Sequence, residues 1–238
     1  MRMYAFMPER YVSIRAVAVS VVIPALNEAA SIGATIDAAR AAGAVEVIVA
    51  DGGSSDATIA IAEERGARVI VGECLRAAQI NRGIDAATND VVIVVHADTM
   101  LPIGACAAVE RALSDGAIFG GFRVTFPEGG ARLAWVAFAI NARTRITRKP
   151  WGDQAQFARR ETFLRMGGYP RFPIMEDYEF ARRMKRAGTI AILPLIVRTS
   201  GRRFLAKGVL RASFVNWLII AGYHLGVAPE RLARWYRG

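Results

Sequence analysis

Three carboxylates follow apolar runs in the first hundred residues: Glu28 just past Val17 to Ile23, Asp51 after Val45 to Val49, and Asp98 after Val91 to Val95. An open parallel sheet gathers the carboxyl ends of its strands along one edge, and ligands bind there. Acids brought to such an edge by a chain of positive net charge suit a nucleotide with a divalent cation. Mg²⁺ takes one or two carboxylates from a protein and completes its shell with phosphate oxygens and water. His96 stands two residues before Asp98. Its imidazole can bind a transition metal when neutral or pair with phosphate when protonated; a strand-end residue bonded to backbone would look the same. A second acidic pair, Glu176-Asp177, opens a helical stretch, where catalysis and the helix dipole are both sufficient explanations. Gly152-Asp153-Gln154 follows Pro150-Trp151 and is either a turn or a loop that meets a ligand through the Trp151 ring and the Asp153 carboxylate. Arg202 and Arg203 carry the planar fork that grips phosphate oxygens, or belong to a basic tail.

The elements that must position these groups follow from periodicity. Val91 to Val95 are five consecutive β-branched residues, which predicts a strand covered on both faces. Val17 to Ile23, Val45 to Val49 and Arg68 to Val71 are further short strands. Between them lie helices over about 28–42, capped by Asn27, from Ser55 or Asp56 to about Arg65, and over about Leu75 to Ala87. Pro102 opens the next helix. This alternation predicts a mostly parallel sheet with right-handed crossovers, an α/β fold. From Ile118 the rhythm changes to a strand over Ile118 to Phe126. A turn cluster at Pro127 to Gly130, a helix carrying Trp135, Phe138 and Ile146, a strand from Gln154 to Arg159 and a helix from Glu161 to Met166 come next. A helix over Glu176 to Ala187 and a strand over Ile190 to Val197 complete the domain. The expected organisation is an extension over 1–16, a catalytic domain over 17–200 with a nucleotide-binding half at 17–128 and an acceptor half at 129–200, and a basic and apolar helical tail over 201–238.

The 238 residues carry 31 Lys and Arg against 21 Asp and Glu, a net charge of +10 that favours an anionic partner. From Arg198 to the end there are eight basic residues and one acid, Glu230. Within that segment Phe214 to Tyr223 is apolar on nearly every side, so it docks on its own domain, pairs with a second copy, or lies on an anionic membrane. Two cysteines, Cys74 and Cys106, form no metal spacing, and both are expected as buried thiols of a reducing compartment. The expected location is the cytoplasm, free or held on the inner face of the cell membrane. A nucleotidyltransferase would need a Gly-rich phosphate loop after the first strand, and Pro24 to Ser31 has none. The dinucleotide fingerprint is absent too. A basic module for nucleic acid or membrane leaves the strand-end acids unexplained, and no nucleic-acid partner is expected.

The motifs VSVVIPALNE (19–28), VADGGSSD (49–56), His96-Ala97-Asp98 and Glu176-Asp177, in this order, resemble those of glycosyltransferase family 2, whose nucleotide-sugar-binding fold is called GT-A. Gly152-Asp153-Gln154, Arg202-Arg203 and PERLARWYR (229–237) are similar to a bacterial subgroup of short, single-domain members. The resemblance implies transfer of a sugar from a nucleoside diphosphate sugar, a UDP-sugar by preference, to an acceptor hydroxyl that lipid-linked molecules could supply. It implies that Pro24 and Ala25 line the nucleoside pocket, that Glu28 reaches the base or ribose, and that Asp51 accepts from a base N–H. Arg76, His96, Ala97 and Arg203 would lie along the nucleotide, and Asp98 would hold Mg²⁺ or Mn²⁺ on the diphosphate. Trp151, Gly152, Asp153 and Glu176 would face the acceptor, and Asp177 would be the general base of one inverting displacement. The family's metal motif is Asp-x-Asp; His96 replaces its first acid.

Overall fold

The computed structural model describes residues 18–237, so the expected extension over 1–16 lies outside them. The order of elements is β1 (Val19–Ala25), α1 (Ile32–Ala41), β2 (Glu46–Asp51), α2 (Thr58–Glu64), β3 (Arg68–Val71), α3 (Arg76–Ala86), β4 (Val91–Val94), β5 (Thr99–Met100), α4 (Ala105–Ser114) and β6 (Phe119–Thr125). Then come α5 (Gly130–Thr147), β7 (Phe157–Arg159), α6 (Arg160–Arg165), α7 (Glu176–Ala187), β8 (Ile190–Thr199), α8 (Arg202–Lys207), α9 (Val209–His224) and α10 (Pro229–Arg237).

One eight-stranded sheet has the order β3-β2-β1-β4-β7-β6-β8-β5. Its first half, β3-β2-β1-β4, is parallel, as the alternation of strand and helix requires. The second half is mixed. β7 enters antiparallel between β4 and β6, and β6 runs parallel to β8. Side chains alternate across the sheet. Val19, Val21, Ile23, Val91 and Ile93 pack on one face with Ile32 and Ile36 of α1 and Val109 of α4. Val22, Val92 and Val94 pack on the other with Ile80 and Ile84 of α3 and Phe180 of α7. Helices on both faces are why these strands are apolar throughout. α3 lies so close to β1 that a Cβ on Gly83 would come within 2.3 Å of Val22.

Several local expectations change. α1 begins at Ile32, not at 28, and Asn27 does not cap it. Asn27 takes φ 54°, a left-handed conformation Asn tolerates, and its Oδ1 accepts from the Ser55 amide at 2.8 Å, pinning the first loop to the second. Pro102 precedes α4 by three residues. Gln154 lies in a 3-10 turn over Gly152–Gln154 before β7. Cys74 is exposed, so only Cys106 is a buried thiol. Among the described residues no helix is long and apolar enough to cross a membrane.

The tail packs against the start of α7. Ile219, Leu232 and Ala233 bury with Ile174, Met175 and Tyr178 at the start of α7. Tyr223 donates to Glu179 at 2.7 Å, and the Tyr178 hydroxyl lies 2.6 Å from His224 Nε2. Docking is only partial: Ile219 is buried, while Phe214, Trp217 and Leu218 stay exposed.

Candidate active site

One cavity of about 760 Å³ opens beyond the carboxyl ends of β1 and β4. Glu28, Arg76, His96, Ala97, Asp98, Trp151, Asp153, Asp177 and Arg203 all line it, so residues separated by up to 175 positions converge. Pro24, Ala25, Asp51, Gly152 and Glu176 are not among its lining residues.

The two loops that leave β1 and β4 bring Glu28 and Asp98 to a common cation. The Arg202 guanidinium at the start of α8 is hydrogen-bonded to Glu28 and stands 3.3 Å from Asp98 Oδ2. Burial raises the Asp98 pKa, Arg202 opposes that rise, and the nearby Glu28 charge adds to it. Two carboxylates sharing one cation in a pocket are a donor set that fits Mg²⁺ or Mn²⁺ when phosphate oxygens complete the shell. Ser31 Oγ donates to Glu28 Oε2 at 2.9 Å and orients it.

Asp51, expected to meet a base, lies at the end of β2 outside the lining of this cavity. Its carboxylate is fully buried in its own turn. Oδ1 accepts from the amides of Gly53 and Ser54, both at 2.7 Å, and Oδ2 accepts from Ser54 Oγ at 2.6 Å. The group shapes the loop after β2. Gln79 ties that loop to the first, its Nε2 donating to the carbonyls of Ala25 at 2.6 Å and Ala50 at 3.0 Å. Neither Ser55 nor Asp56 is the N-cap of α2, which is Ala57; Asp56 lies one residue earlier and accepts from the amides of Thr58 at 2.9 Å and Ala29 at 3.1 Å.

The opposite wall is built by α7 and the loop before β7. Met175, at φ 69°, turns the chain sharply into α7. Asp177 then accepts from the Gly152 amide at 2.6 Å through Oδ2 and from the Tyr178 amide at 2.7 Å through Oδ1. Glu176, expected on the acceptor side, is buried and ion-paired with Arg76 at the start of α3, so it anchors that guanidinium. His96 lies beside Asp177 with Gly152 between them: a Cβ on Gly152 would meet His96 Nε2 at 2.7 Å and Asp177 Oδ2 at 3.0 Å. Burial first, then the Arg76 charge, lowers the His96 pKa to about 4, so the ring is neutral at pH 7.

Trp151 has one face covered by Arg143, whose guanidinium carbon is 3.3 Å from the ring centroid. That face is closed to a sugar. Arg143, expected only as part of a basic helix end, is a site residue that periodicity did not single out. It lines the cavity, its Nε and Nη1 are buried without a partner, and burial lowers its pKa to about 10. Asp153 also lines the cavity with Oδ1 unpartnered. Burial raises its pKa to about 6 against the pull of Arg143. Gln154 holds this loop together. Its Oε1 accepts from Thr144 Oγ1 at 2.8 Å, Arg143 Nη2 at 3.1 Å and the Trp151 amide at 3.1 Å, while Nε2 donates to the Phe122 carbonyl at 2.9 Å. Arg203 stacks on Tyr236 at 3.5 Å and donates to Asn216 Oδ1 at 3.2 Å.

Residues 20–168 match the profile of Glycosyl transferase family 2. The chain belongs to this family. An uncharacterized glycosyltransferase of Mycobacterium bovis is 35% identical over 170 residues, which span 64% of this chain and 75% of that one. Solved structures of glucosyl-3-phosphoglycerate synthase from Mycobacterium tuberculosis share the fold. The complex with Mn²⁺ and UDP-glucose superposes with a TM-score of 0.54 at 25% identity, over 77% of this chain and 71% of that one. The complex with phosphoglyceric acid superposes with a TM-score of 0.53 at 26% identity, over 77% and 72%. The fold is therefore of the GT-A type, and this family 2 member is a nucleotide-sugar glycosyltransferase.

Proposed function

We propose that the protein transfers a sugar from a UDP-sugar to an acceptor hydroxyl with inversion at the anomeric carbon, dependent on Mg²⁺ or Mn²⁺. The observation that carries this reading is the convergence of Glu28 and Asp98 on the Arg202 guanidinium, in the cavity that Asp177 also lines. The nucleoside would lie against the ends of β1 and β2, near Pro24 and Ala25. Asp51 would serve it through the turn it holds rather than by direct contact. Arg76, fixed by Glu176, and Arg203 supply positive charge to the diphosphate, and Arg202 offers it the same fork it now gives to two carboxylates. When bound, the metal stabilises the charge that develops on the leaving diphosphate. Asp98, with Glu28, would hold that metal.

Asp177 would accept the hydroxyl proton of the acceptor. Its Oδ2 is fixed by the Gly152 amide and its Oδ1 by the amide of Tyr178, so the carboxylate is oriented before substrate arrives. The acceptor oxygen bonds to the anomeric carbon as the bond from that carbon to the diphosphate oxygen breaks. The bonding pair leaves with the diphosphate, and the proton goes to Asp177. His96, neutral beside Asp177, adds no competing positive charge there. Asp153 and Arg143, with unpartnered polar atoms toward the cavity, are the groups that would orient the acceptor.

Calorimetric titration of UDP and UDP-glucose, with and without Mn²⁺, tests the donor half. Wild type is expected to bind with metal, and Asp98→Asn to lose the metal-dependent part while keeping its melting temperature. Unchanged metal dependence in the variant would remove Asp98 from the role given to it.

A further inference from the structure

The cavity changes character along its length. On α5 it is lined by Trp135, Val136, Ala139, Ile140 and Arg143, one face of the helix. At 1.5 Å per residue this face runs about 12 Å. Arg143 stands at the polar end, against Trp151. Trp135 stands at the other, 68% exposed, with Phe138 stacked on it at 5.3 Å. α9 flanks the same cavity with Leu210, Ser213, Trp217 and Ile220. Leu210, Phe214 and Trp217, at i, i+4 and i+7, are each more than half exposed. Two helices thus leave adjoining apolar faces in water around the mouth of a catalytic cavity. Exposed apolar patches of this kind mark interaction surfaces.

Charge narrows the occupant. Arg132, Arg145 and Arg148 are exposed on α5 and at its end, where residues 129–152 hold no acid, and exposed Arg231 and Arg234 of α10 stand against the one acid of the tail, Glu230. A second copy would bring the same basic helices to a two-fold contact, where like charges repel. An anionic bilayer complements both the charge and the aromatic faces.

Building on the glycosyltransferase reading above, we infer that the acceptor is an amphipathic lipid of an anionic membrane. Its head-group hydroxyl lies at Asp177 and its chain in the groove between α5 and α9, while Phe138, Phe214 and their neighbours rest in the bilayer surface. The bonds made and broken are those of the transfer already described; only the owner of the hydroxyl is new.

Vesicle sedimentation tests the surface. Full-length protein should pellet with phosphatidylcholine vesicles containing phosphatidylglycerol at least about fivefold more than with phosphatidylcholine alone, and ~0.5 M NaCl should release it. Phe138→Ser with Phe214→Ser should reduce binding by about fivefold or more. Neither side chain lines the cavity, so the melting-temperature rise given by UDP-glucose with Mn²⁺ should persist in that variant. For the groove, lysophosphatidylglycerol below its micellar concentration should raise the melting temperature, glycerol 3-phosphate should not, and Ala139→Trp should abolish the lipid shift alone. Equal binding to neutral vesicles, binding to neither, or a dimer that the double variant dissociates would overturn the membrane surface. An equal shift from glycerol 3-phosphate would overturn the chain groove. Absence of the UDP-glucose shift in wild type, with vesicle binding intact, would sink the donor reading and the acceptor assignment with it.

Discussion

Replacing Gly152 by alanine should damage turnover far more than folding. The added Cβ would lie 2.7 Å from His96 Nε2 and 3.0 Å from Asp177 Oδ2, which is 0.7 Å and 0.4 Å short of ordinary contact at 3.4 Å. Both obstacles are ends of side chains, so they can move aside. The folding cost therefore sits at the low end of overpacking, about 1 kcal/mol. For a chain of this size that lowers the melting temperature by roughly 2–4 °C. The movement, however, displaces the proposed general base. The backbone amide that holds Asp177 survives the substitution, so the effect isolates position from hydrogen bonding. Misplacement approaching 1 Å costs up to about a hundredfold in rate, so turnover should fall by roughly 10- to 100-fold. Thermal unfolding, calorimetric donor binding and single-turnover transfer from UDP-glucose measure the three effects separately. Turnover within about threefold of wild type would refute the claim that this gap sets the position of Asp177.

Asp177→Asn keeps an oxygen to accept from the Gly152 amide but cannot take a proton; we expect donor affinity to hold and turnover to fall by about 10²-fold or more, read by steady-state kinetics at saturating donor. Asp153 has its pKa raised from 3.8 to about 6 by burial, so the native state binds more protons than the unfolded chain between those values. Stability from this group is present at low pH and is lost as pH rises through that window. Asp153→Asn should accordingly melt higher than wild type at pH 7.5, with the gain shrinking toward pH 4; equal melting temperatures at pH 7.5 would count against a buried charge at this position.

The parallel half of the sheet is legible in the sequence. Strands covered by helices on both faces must be continuously apolar, so β1, β2 and β4 announce themselves, and each ends where polarity returns. That alone places Glu28, Asp51 and Asp98 near one edge. α7 is legible to the residue, because acids at Glu176, Asp177 and Glu179 and bases at Lys185 and Arg186 complement its dipole and Gly188 ends it. The family motifs are local strings on these elements, which is why they can be recognised without coordinates.

What the side chains do once they reach the edge was decided by tertiary structure. Asp51 and Asp98 both follow apolar strands, yet the first is folded into its own turn and the second opens into the cavity; the difference lies in which amides each loop offers. Glu176 and Asp177 are neighbours, but on a helix successive side chains diverge by about 100°, so one meets Arg76 and the other the Gly152 amide. β7 enters antiparallel between β4 and β6, its pairing with β4 joining residues over sixty positions apart, and it is this insertion that brings Gly152 beside His96. Arg202 reaches Glu28 across 174 positions because β8 pairs with β5, Thr199 opposite Thr99, and carries the start of α8 to the loop that holds Asp98. Periodicity reports which face of an element is buried; only the assembled chain determines what that face meets.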